Sequence, residues 1–87
     1  MKRQETNAEP LALGALGWTL ADDDRASRLL ALTGLTPDDL RARIDERPVL
    51  ASILAFLEAH EPDLIACAEA LGVAPDRLVA ARMELER

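Results

Sequence analysis

The segment Gly34-Leu35-Thr36-Pro37-Asp38-Asp39-Leu40 carries the signals for ending one helix and starting the next. Glycine takes the left-handed conformation that closes the preceding helix. Thr36 stands as N-cap and Pro37 at the first helical position, while Asp38 and Asp39 complement the helix dipole. Thr36 and Asp39 approximate a capping box, with Asp in place of Glu, and Leu35 and Leu40 are spaced as a hydrophobic staple. The unit recurs as Gly72-Val73-Ala74-Pro75-Asp76-Arg77-Leu78. In that copy Ala74 replaces the capping threonine, so its junction is expected to be weaker by about 1 kcal/mol.

Working outward, the chain reads as six helices. The first starts at Asn7 and runs to about Ala21, with two apolar stripes: Leu13, Leu16, Gly17 and Leu20, and beside them Leu11, Ala15 and Trp18. The second starts at Asp22-Asp23-Asp24 and stops at Gly34. The third ends by about Glu46, because Pro48 disfavours a helical Arg47. The fourth, Pro48 to about Ala59, is apolar nearly all round and is therefore the central helix. The fifth runs from Pro62 to Leu71 and the sixth from Pro75 onward. This predicts an all-α fold, a compact orthogonal bundle of five or six short helices containing two similar helix-turn-helix hairpins. The hairpins are expected around the fourth helix, with the first helix over its remaining face. Residues 1–7 are expected to be a flexible N-terminus and 8–87 a single helical domain.

Composition agrees. Of 87 residues, 49 % are apolar but only 2 % aromatic, which is too apolar for disorder. Leu and Ala dominate, and Val and Ile are scarce, which favours helix over strand. One cysteine excludes an intramolecular disulfide framework. Lys2 and Arg3 ahead of the apolar run Leu11 to Ala21 have the outline of a signal peptide. Glu5 and Glu9 cancel that charge, however, and Pro10, Gly14 and Gly17 break up the run. The expected location is the cytoplasm, with no membrane span.

The formal charge is −6, and half of it lies in residues 61–87. That segment is also the one resembling a DNA-binding helix-turn-helix, over Leu64 to Met83, with Arg77 and Arg82 as the donors that would read bases. Six acids against three arginines oppose phosphate binding there. Nucleic acid is thus the alternative reading, not the leading one.

Other chemistry is sparse. His60 and Cys67 are the only soft metal ligands, and Cys67 falls on a core stripe with Leu64, Ala68 and Leu71, so no metal site is expected. No catalytic residues and no cofactor are expected: there is no phosphate loop, and the paired carboxylates sit at helix starts. Arg41 and Arg43 are spaced to pair with Asp45 and Asp39. Trp18 is read as a core anchor or an interface anchor, the core being favoured. The leading functional expectation is a small non-catalytic module that binds a protein partner or itself. Its candidate interface is Leu11, Ala15 and Trp18.

The run Ala31-Leu32-Thr33-Gly34-Leu35-Thr36-Pro37-Asp38-Asp39-Leu40-Arg41 is preceded by an Ala/Leu-rich helix with Trp18. It is followed by Ile53-Leu54-Ala55-Phe56-Leu57 and then Glu61. That order resembles a family of short bacterial proteins, domain-of-unknown-function family 3572, over roughly residues 12 to 85. The resemblance implies an all-α, single-domain bacterial protein and assigns no catalytic or binding residue.

Overall fold

The computed structural model describes residues 7–87. Of the segment expected to be flexible, all but Asn7 lies outside the described residues. The described residues form six α-helices: α1 Ala8–Leu20, α2 Asp23–Thr33, α3 Pro37–Arg43, α4 Arg47–Glu58, α5 Glu61–Leu71 and α6 Pro75–Leu85. There is no strand among the described residues. All five prolines fall within the first three residues of a helix, where an amide N–H has no intrahelical acceptor and its loss costs nothing. Pro48 and Pro62 take the second helical position, so α4 and α5 begin at Arg47 and Glu61, one residue earlier than expected. The extended residues before them are Glu46 and His60. The third helix is correspondingly shorter than expected and ends at Arg43.

The repeated unit is repeated in geometry. Gly34 and Gly72 both lie in the left-handed region, at φ 76° and 75°, where any side chain would be strained. Thr36 and Ala74 are both extended, and Leu40 and Leu78 are both buried. The two copies differ at the cap. In the first, the Asp39 amide donates to Thr36 Oγ1 at 3.0 Å and the Thr36 amide donates to Asp39 Oδ2 at 2.9 Å, a complete capping box. The hydrogen bond from the Thr36 amide, and after it one from the Thr36 side chain, hold the Asp39 carboxyl below its ordinary pKa. In the second, the Arg77 amide has no side chain to donate to and bonds instead to the Ala74 carbonyl at 2.9 Å, a 3₁₀-type contact. Ala74→Thr should therefore raise stability by about 0.5–1 kcal/mol. Thermal unfolding followed by circular dichroism checks this, and an unchanged or lowered midpoint would contradict it.

The core is built on two helices. α4 buries Val49, Leu50, Ala51, Ile53, Leu54, Phe56 and Leu57, and packs against α1, α2, α5 and α6. Each fully buried leucine or isoleucine there contributes about 1.5–3 kcal/mol. α1 is more than the cover expected of it: it packs against α2, α4, α5 and α6 through Ala8, Ala12, Ala15, Leu16 and Thr19. Alanine makes this possible, because a helix face of methyl groups lets neighbouring backbones approach closely. At Gly14 the approach is tighter still, and a Cβ would lie 3.2 Å from Leu71 Cδ2. The two hairpins are not equivalent in packing. α5 and α6 both lie on the α1–α4 pair, whereas the short α3 sinks only Leu40 fully into the core and leans on it through Ile44. The Cα radius of gyration is 12.3 Å, against about 12 Å for a compact chain of this length.

Candidate functional site

Helical spacing gives α1 two apolar faces, and the fold uses them oppositely. Ala15 has no exposed surface, and Leu11 and Trp18 are partly buried against the core. Of the expected interface, Leu11, Ala15 and Trp18, the alanine is therefore wholly inside and the other two lean on the core, so little of that face is left open. Trp18 is covered from the remaining side as well. The Arg25 guanidinium carbon lies 3.6 Å from the centroid of the indole ring, and Arg25 Nη2 donates to the Trp18 carbonyl at 2.6 Å. One arginine therefore stacks on the ring and satisfies a carbonyl at the C-terminal end of α1. Its spacing from Trp18 crosses a helix boundary, so a search for periodicity does not reveal the contact.

The other face is open. Leu13 is 44 % and Leu20 43 % exposed, Gly17 is exposed between them, and Leu16 is buried at their edge. Leu16 and Leu20 continue into a groove of about 170 Å³. Leu30 of α2, Pro37, Leu40 and Arg41 of α3, and Ile44 complete its lining. Its surroundings are acidic. From Ala8 to Glu46 the chain carries eight acids against four arginines. All four arginines are engaged: Arg25 by Trp18, Arg28 by Asp63 at 3.0 Å, Arg41 by Asp38 and Arg43 by Glu46. The expected pairs Arg41–Asp45 and Asp39–Arg43 do not form, because Asp39 is held in the capping box and Asp45 lies beyond the end of α3. Asp23, Asp24 and Asp45 have no basic partner among the described residues.

On the opposite side, the α5–α6 hairpin does not present its arginines as a base reader needs. Arg82 Nε donates to Glu58 of α4 and Nη1 donates to Glu86 at 2.7 Å, and its side chain is only 23 % exposed. The Glu58 hydrogen bond raises the guanidinium pKa further. Arg82 thus fastens α6 to α4, where its donors are already used. Arg77 is exposed and has no ion pair among the described residues.

Cys67 has no exposed surface, and burial pushes its thiol up to about 11, opposed by Arg25 and reinforced by Asp63. Relative to the ordinary value of 9.0, that leaves about a hundredfold less thiolate at neutral pH. A maleimide or disulfide reagent should consequently label the native domain only at the rate of unfolding. Rapid labelling without denaturant would contradict this placement. His60 is exposed at the start of α5, and among the described residues no three His, Cys, Asp or Glu side chains gather in metal-binding range. Ser52 donates to the Pro48 carbonyl at 2.9 Å. No helix of the described residues is long and apolar enough to cross a membrane.

No curated protein and no solved structure matches the chain. A family model, described as protein of unknown function (DUF3572), matches residues 5–87. A match over that span, joined to the six-helix fold it covers, places this chain in the DUF3572 family.

Proposed function

We propose that the domain is a small non-catalytic module that binds another protein chain, working in the cytoplasm of a bacterium. The observation that carries this reading is the open face of α1. Leu13, Gly17 and Leu20 lie on one side of the helix and run into the groove beside α2 and α3. Scattered surface leucines need no explanation, but leucines continuous with an apolar groove mark a binding surface. Gly17 adds to this. A glycine inside a helix costs roughly 0.5–1 kcal/mol relative to alanine. Apart from its own helix backbone and chain neighbours, no atom of the described residues lies within 4 Å of where its Cβ would be, so packing against the rest of the domain does not account for it. A buried free cysteine accords with a reducing compartment. A nucleic-acid reading retains only Arg77 on α6, too little to neutralise a phosphate backbone.

The test is photo-crosslinking from single positions inside cells, together with light scattering of the purified protein. A photoreactive residue at position 13 or 20 should give a discrete protein adduct, lost when Leu16→Glu or Ile44→Glu is added in a variant that still folds. A strictly monomeric protein with no adduct from position 13, 20, 32, 65 or 83 would remove the basis for the reading.

A further inference from the structure

We infer that the groove between α1, α2 and α3 receives a cationic amphipathic helix from a partner protein. One large apolar side chain of that helix sits among Leu16, Leu30 and Leu40, and its basic residues meet Asp23, Asp24 and Asp45. This rests on the interaction reading above and names the class of partner.

Three observations lead there. The first is shape. The groove, about 170 Å³, is close to the roughly 150 Å³ of an apolar cavity known to hold a benzene-sized group, so it suits one leucine, phenylalanine or tryptophan side chain. The exposed Leu13–Gly17–Leu20 face continues from it along α1, and helix-in-groove recognition uses anchors at such one-turn spacings. Gly17 lets a second helix approach that face closely.

The second is charge. Every arginine on α1 to α3 already has a partner, while Asp23 and Asp24 lie three and four residues beyond Leu20, and Asp45 directly follows Ile44. Arg41 on the groove wall is neutralised by Asp38, and Asp23, Asp24 and Asp45, close to the apolar floor in sequence, have no ion pair among the described residues, so a surplus of negative charge remains for a basic helix to meet.

The third excludes a second copy as occupant. Two chains of formal charge −6 repel, and the exposed apolar residues on the other helices do not sit in basic surroundings. Ile65 lies on α5 with Glu61, Asp63 and Glu69, and the arginines near Met83 are already paired, Arg82 with Glu58 and Glu86 and Arg87 with Glu84.

The experiment is titration of the ¹⁵N-labelled protein with three synthetic helical peptides of equal length. One has leucine and phenylalanine anchors at one-turn spacing flanked by lysines. The second has glutamates for the lysines, and the third has alanines for the anchors. The lysine-flanked peptide should shift amides of α1, α3 and α2, at both Leu30 and the first turn that carries Asp23 and Asp24. Its affinity should fall by on the order of tenfold between low and high salt, as exposed charges are screened. Leu20→Lys should weaken it by a similar factor without loss of helicity, because Leu20 is already 43 % exposed. The combined Asp23→Asn, Asp24→Asn and Asp45→Asn variant should flatten the salt dependence. Equal binding of the glutamate-flanked peptide, shifts centred on α5 and α6, binding of random duplex DNA at the same face, or no shift at millimolar peptide would each overturn the inference. Crosslinks from position 32 or 65 alongside an empty groove would overturn it too, while leaving the broader interaction reading standing.

Discussion

Replacing Leu54 by alanine should lower stability by about 2–5 kcal/mol, a large-to-small change at a fully buried core position. Leu54 lies in the middle of α4, which packs against α1, α2, α5 and α6, so no single neighbour can move to fill the space. A domain of this length has roughly 4–13 kcal/mol in total. The variant should thus lose roughly 8–40 °C of melting temperature, and in the lower part of the stability range it will not fold at 37 °C. Leu32→Ala is the control. It removes the same atoms from a side chain that is 73 % exposed, and should change stability by no more than about 0.5 kcal/mol. Denaturant unfolding of both variants checks the pair. Equal effects would show that α4 is not the centre of the core.

The second large effect is expected at Ala15, where the change is an addition. Ala15→Leu inserts three carbons at a position with no exposed surface, on a helix that packs against four others. Overpacking of this kind typically costs about 1–3 kcal/mol. α1 cannot relieve it by sliding, because Gly14 one residue away is already against Leu71. At Gly17, by contrast, an added Cβ would meet no packed neighbour among the described residues, and the site faces outward. Ala15→Leu and Gly17→Leu lie two residues apart on one helix, and only the first should destabilise the domain. If Ala15→Leu were neutral, the alanine face of α1 would not be core, and the assignment of its two faces would be reversed.

Much of the fold is legible in the sequence because it is written in local signals. The left-handed Gly34 and Gly72, the Thr36–Asp39 capping box and the prolines in first turns place the helix boundaries to within a few residues. The long apolar run of α4 marks it as central for the same reason: few of its positions are free to face water. The family is legible too, from the order of those segments. The use of α1 is not. Periodicity finds both of its stripes, but a stripe of leucines and a stripe with alanine and tryptophan score alike as apolar. Which one turns inward depends on how closely the other helices approach. The partners of charged residues are equally hidden. Asp39 is drawn away from Arg43 by the cap, Arg28 reaches Asp63 across the fold, and Arg82 reaches Glu58. The groove itself has no sequence signal, because its lining is drawn from α1, α2 and α3 and from Ile44.

The most direct test of the account is paramagnetic relaxation from the lysine-flanked peptide carrying a nitroxide beside its central anchor. Docking in the groove should broaden amides at Leu13, Gly17 and Leu20 on α1 and at Leu40 and Ile44 selectively, with Ile65 and Met83 unaffected. Broadening centred on Ile65 or Met83, or spread evenly over the surface, would contradict it.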